Sequence, residues 1–213
     1  MTALKKPLIS EDTILVFDKD GVIFHSEDFK FEYFLSLFDD YPEHRDGIIN
    51  YLVGSGGTPR KLRFEHIFKE VIGLRECNSK VGELVDKSTA EMNPRVLETG
   101  FVEGFNEFIA RYPDNRKFVC SGSPQIEVDQ HLDKNGMKNH FVAMHGGVKR
   151  KSKVLLDIKQ QYGADMVFFG DTMVDYTASE EADVPFVGLR TSKYHDPFND
   201  MDICKVHSFT ELL

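Results

Sequence analysis

The sequence predicts an α/β fold, a Rossmann-like parallel sheet core carrying an inserted helical cap domain. Three observations lead there. Short β-branched apolar runs end in polar residues, amphipathic segments of helical length separate those runs, and the alternation stops across one long interval. A chain of 213 residues has room for one well-filled core plus a modest insertion.

Taken in order, TILVFD (13–18) is apolar and ends in a carboxylate, as a buried parallel strand does before its loop. From 26 to 112 the patterns are helical, in DFKFEYFLSLF, PRKLRFEHIFKEVIGL and SKVGELVDKSTAEM, with no strand-like run among them. GSGGT (54–58) and NPRVLETGF (93–101) supply the breaks. Strand patterns return at KFVCS (117–121), MVFFGD (166–171) and PFVGL (185–189). The expected division is therefore a core of residues 1–25 and 113–213, with 26–112 inserted as a helical cap.

Composition narrows the function. Hydrophobic residues at 41% and charged residues at 29% are those of a globular protein that folds alone. The net charge of -9 argues against nucleic acid or an anionic membrane as partner, so an anionic ligand needs a local basic site. Cys77, Cys120 and Cys204 are too scattered for a zinc site or a disulfide framework. With no apolar run of signal-peptide or membrane-span length, a cytoplasmic location is expected.

In an open α/β sheet, ligands gather beyond the carboxyl ends of the strands. Four groups stand there. FDKDGV puts Asp18 at a strand end and Asp20 two residues on, with Gly21 free to turn. VCSGSP offers the Ser121 hydroxyl and the amides from Gly122 onward, suited to anionic oxygens. KRKSK (149–153) precedes a helix, and GDTMVD places Asp171 and Asp175 over the same crevice. Singly, each has an ordinary explanation: turn aspartates, a capping serine, a solvated lysine run. Together, in one order on one sheet, they point to a catalytic site.

These four segments resemble the motifs of the haloacid dehalogenase superfamily. DGVIFHSED and GDTMVDYTASEEADVPFVGL are similar to its phosphoglycolate phosphatase and β-phosphoglucomutase-like branch, and GGTPRKLRFEHIF resembles cap segments of that branch. The resemblance covers nearly the whole chain. It implies a phosphatase acting on a small phosphorylated metabolite, with Mg2+ as cofactor and Asp18 as the nucleophile that forms an aspartyl-phosphate. Asp20 would be the acid and base, and Ser121, Gly122 and a lysine would bind the phosphoryl group. Asp18, the Asp20 carbonyl and Asp171 would hold the metal, with Asp175 ligating or orienting.

Two residues depart from the branch pattern: Lys19 stands where an apolar residue is usual, and His25 replaces an aspartate. His25 is either a substrate contact near the cap hinge or an ordinary surface or packing histidine. Lys151 is the preferred phosphoryl-binding lysine, because Lys151 and Leu155 give a K-x-x-x-L spacing and Ser152 can cap the helix. Lys149 is the alternative register. Arg60 and Arg63 share one helical face, either to clamp substrate or to pair with glutamates such as Glu65 in solvent. A phosphomutase using the same residues, or a non-catalytic phospholigand-binding module, remains the competing reading.

Overall fold

A computed structural model describes residues 9–194 and 196–213. Six parallel strands form one sheet: β1 (Ile14–Phe17), β2 (Lys117–Cys120), β3 (Ala143–His145), β4 (Met166–Gly170), β5 (Phe186–Leu189) and β6 (Cys204–Val206). Their order is β3-β2-β1-β4-β5-β6, the Rossmann order, which reverses direction between β1 and β4. The register pairs Phe17 with Val119 on one side and Phe169 on the other. Asp18 and Asp171 thus leave the sheet side by side at the reversal.

Period-two alternation gives the sheet two buried faces. Leu15, Phe17, Val119, Val167 and Phe169 point to one, where α5 (Phe105–Arg111) and α6 (Gln125–Lys134) pack. Ile14, Val16, Phe118, Met166 and Phe168 point to the other, against α7 (Lys151–Tyr162) and α8 (Met173–Ala182). Phe17 is the hub of the first face, stacked on Phe169 at 4.9 Å and met edge-on by Phe105 at 5.6 Å.

The inserted helices are α1 (Glu27–Ser36), α2 (Arg45–Gly54), α3 (Arg60–His66) and α4 (Asn78–Val96). They bury a separate cluster that includes Phe34, Phe38, Phe64, Phe68 and Met92. The sequence reading extended the insertion to residue 112, but Phe105, Phe108 and Ile109 of α5 pack on the sheet face, so packing draws the edge before Phe101. Its amphipathic pattern alone cannot tell which core a helix faces. Strands β3 and β6 escaped the sequence reading because each is three residues long at a sheet edge, with little apolar signal. Among the described residues, no helix is long and apolar enough to cross a membrane.

Candidate active site

Asp18 is the first residue beyond β1, its amide bonded to the Phe169 carbonyl at 2.9 Å, so the strand pairing itself fixes it. Lys151, the first residue of α7, reaches across to place Nζ 2.9 Å from Asp18 Oδ2 and 2.6 Å from Asp175 Oδ1. All three side chains are buried. Lys149 is exposed, and Lys153 pairs with Asp157 at the surface. One detail of the expectation fails: Arg150, not Ser152, occupies the N-cap position, and the Ser152 hydroxyl donates to Glu181 instead. Lys151 therefore lies inside the first turn rather than before it.

One oxygen from each of Asp18, Asp171 and Asp175 falls within 4.8 Å of the others. Asp175 has little to spare, because Oδ1 accepts from Lys151 while Oδ2 accepts from the Thr172 hydroxyl at 2.5 Å, in a capping box that opens α8. Asp171 Oδ1, by contrast, is buried without a hydrogen-bond partner among the described residues. Burial, with Glu27 and Asp18 close by, holds the Asp171 carboxyl well above its ordinary range. Burial also pushes Asp18 up to about 7, Lys151 pulling the other way while Asp175 and Asp20 add to the rise. A buried carboxylate group short of positive charge, with an orphaned acceptor, fits a hard divalent cation. Gly21 lets the chain pass close by: its φ is +76°, and a Cβ there would stand 2.1 Å from Asp171 Oδ2.

Asp20 faces a second set of charges. Lys19 Nζ lies 2.7 Å from Oδ1, Ser123 donates to Oδ2 at 2.7 Å, and Lys30 and Ser26 also donate to the carboxylate. Against burial, which would raise it, the two lysines hold Asp20 well below the usual carboxylate range. Glu127, fully buried on α6, binds Lys30 at 2.9 Å, Lys19 at 3.3 Å and Arg60 at 2.9 Å. Lys30 and Arg60 come from inserted helices and Glu127 from the core, so this node joins the two.

Ser121 is buried, with its hydroxyl accepting from the Ser123 amide at 3.2 Å. Gly122 lies under the insertion: a Cβ there would meet the Gly57 carbonyl at 2.3 Å. The pocket between Asp18, Ser121 and the insertion also touches Lys30, Phe34, Arg60 and Arg63, leaving a cavity of about 40 Å³. Both arginines are buried, which removes the solvated-face reading; Glu65 pairs with Lys61 instead. His25 is exposed and does not line this pocket.

Lys30 and Glu127 were missed in the sequence, although a signal existed. Lys30 stands four residues after Ser26 and four before Phe34, and Glu127 precedes Val128 and lies four before His131, so each is a charge on an inward-facing stripe. An inward charge must find a partner.

Fold and site together define an open α/β protein with a buried acidic site at its switch point, closed over by inserted helices. The family model of haloacid dehalogenase-like hydrolases matches residues 15–189, and the chain belongs to that family. No curated protein matches the sequence. Among solved structures, a predicted phosphoglycolate phosphatase from Haemophilus somnus is 15% identical, covering 96% of this chain and 98% of its own, with a TM-score of 0.72. CbbY from Rhodobacter sphaeroides, solved with phosphate, is 17% identical over 93% and 95%, at 0.69. A subfamily IA hydrolase from Geobacter sulfurreducens is 17% identical over 100% and 98%, at 0.60. At such identities these likenesses speak for the fold.

Proposed function

We propose that this hydrolase is a magnesium-dependent phosphatase that cleaves a small phosphorylated metabolite through an aspartyl-phosphate on Asp18. The observation that carries the reading is Asp18 at the end of β1, 2.9 Å from the Lys151 ammonium and within reach of the Asp171 and Asp175 carboxylates. In the first step an Asp18 oxygen attacks phosphorus, and the bond from phosphorus to the leaving oxygen breaks. Asp20, which Lys19 and Lys30 hold ionised in the free enzyme, takes up a proton as the bound substrate anion draws on those lysines and passes it to that oxygen; it then accepts one from the water that attacks the aspartyl-phosphate, releasing inorganic phosphate and the Asp18 carboxylate.

The Ser121 hydroxyl and the Gly122 amide hold the transferring group, while Lys151 offsets its charge and that of Asp18. Asp18, Asp171 and the Asp20 carbonyl are the residues suited to magnesium, with Asp175 orienting Lys151 and Thr172. Magnesium, when bound, supplies positive charge to the phosphoryl oxygens. A phosphatase assignment of the Haemophilus relative and phosphate in the Rhodobacter structure support the same chemistry.

Turnover of p-nitrophenyl phosphate with magnesium, abolished by chelator and restored by the metal, is the expected result. Full turnover in chelator would refute the metal requirement, and no turnover of any phosphomonoester would refute the phosphatase. Isomerisation of a sugar phosphate without release of phosphate would identify a mutase instead.

A further inference from the structure

Among the described residues, each Asp20 oxygen accepts from a donor on either side of the pocket. Oδ1 accepts from Lys19 Nζ at 2.7 Å and from the hydroxyl of Ser26, at the N-cap position of α1. Oδ2 accepts from the Ser123 hydroxyl at 2.7 Å and from Lys30 on α1. Lys19 and Ser123 belong to the core, whereas Ser26 and Lys30 belong to the insertion, so the core alone keeps one donor on each oxygen. Lys19 is the unusual member, departing from the apolar residue usual in the branch that the sequence resembles. Its side chain is fully buried, and Glu127 Oε1, also buried in the core, lies 3.3 Å from the ammonium. Two carboxylates flanking the ammonium offset the cost of burying it. Neither of them depends on the insertion.

Resting on the phosphatase reading above, we propose that Lys19, seated on Glu127, is a positioning residue that holds Asp20 in the pocket beside Asp18 whether or not the insertion lies against the sheet, which commits the phosphoryl group to water. The pocket is lined by Phe34, Arg60 and Arg63 from the insertion as well as by the core, so a leaving group departs most freely when the insertion moves away. A mutase must keep water from reacting at that moment. Here the base stays in place. Entering water gives a proton to Asp20, its oxygen bonds to phosphorus, and the bond from phosphorus to the Asp18 oxygen breaks, leaving inorganic phosphate and the Asp18 carboxylate. With one core donor on each oxygen the Asp20 carboxylate is fixed about its own axis; with Ser123 alone it would be free to turn on that single bond.

The test is rapid quenching of wild type and Lys19→Met during turnover of p-nitrophenyl phosphate with magnesium, reading p-nitrophenol, inorganic phosphate and enzyme-bound phosphate together. p-Nitrophenolate leaves without needing a proton, so its release reports formation of the aspartyl-phosphate, while phosphate release reports the water step that needs Asp20. In the wild type, phosphate is expected to keep pace with p-nitrophenol with no acceptor added. Lys19→Met should slow the water step by about tenfold or more, the scale of a misplaced base. Aspartyl-phosphate then accumulates, and kcat and KM fall together while kcat/KM stays near wild type. Lys19→Arg, which keeps a donor, should recover part of the rate. A purely structural role would lower formation and breakdown alike, so a loss in kcat/KM, or a water step as fast in Lys19→Met as in wild type, overturns the proposal. If the variants fail to fold, the wild type decides: phosphate release that lags until an added sugar hydroxyl takes the phosphoryl group would also overturn it. Normal hydrolysis in both proteins leaves the phosphatase reading intact, whereas no hydrolysis of any ester sinks both.

Discussion

The two ends of the pocket are built differently. At the end proposed to hold the phosphoryl group, Asp18, Asp171 and Lys151 stand at the ends of strands or the start of a helix, within one or two residues of regular structure. At the leaving-group end, Asp20, Lys30, Arg60, Arg63 and Glu127 come from a loop, two inserted helices and α6, and only their packing brings them together. Strand ends keep their geometry whatever is inserted between them, so they suit chemistry that must not change. Inserted helices can vary without disturbing the sheet, so they suit choice of substrate.

If that division holds, the largest effects belong to the phosphoryl end. Asp18→Asn should leave a folded protein with kcat down by at least about a thousandfold, since it removes both the proposed nucleophile and a charged ligand of the proposed metal. Retained turnover would remove the distinction between the two ends. Lys151→Ala should cost about a hundredfold in kcat, with Lys149→Ala and Lys153→Ala near normal in the same assay. A large loss in Lys149→Ala beside a mild Lys151→Ala would mean that the Lys151–Asp18 contact has no catalytic weight.

At the other end the signature should be stability as much as rate. Glu127→Gln strips a fully buried carboxylate from Lys19, Lys30 and Arg60, and the uncompensated cations should cost about 3–5 kcal/mol in denaturant unfolding. An unchanged midpoint would show that the node does not bind insertion to core.

The smallest effect concerns His131 behind that node, stacked on Phe24 at 3.5 Å between ring centres. Burial lowers its pKa from 6.5 to about 4, so the unfolded chain takes up the proton first as pH falls. Stability from this residue is present in full above about 6.5 and is lost as the pH drops toward about 4. The stability advantage of wild type over His131→Gln should therefore shrink across that window, and a constant difference would assign the pH dependence elsewhere.

The same contrast explains what could be read from the sequence. Asp18, Asp20, Ser121 and Asp171 announce themselves because a strand run is followed at once by a carboxylate, a hydroxyl or a glycine. Lys151 needed only a choice of register. Arg60 and Arg63 were visible as a pair, but not their burial, which depends on how α3 meets α4 and the core. Lys30 and Glu127 sit on helical stripes whose other members are mostly apolar or small, His131 aside, and a charge in such a stripe looks like noise until its partner from another element is known. The edge strands β3 and β6 and the allegiance of α5 were hidden for a related reason: three-residue strands carry almost no periodicity, and an amphipathic helix does not name the surface that it covers.

In the proposed mechanism, phosphate passes through the Asp18 carboxylate. Rapid quenching of the enzyme during turnover with magnesium, reduction of any acyl phosphate by borohydride and mass analysis of the peptides test it directly. Homoserine is expected in place of aspartate at position 18 and at no other carboxylate. Homoserine at Asp20, Asp171 or Asp175, or rapid turnover with no reduced residue anywhere, would contradict it.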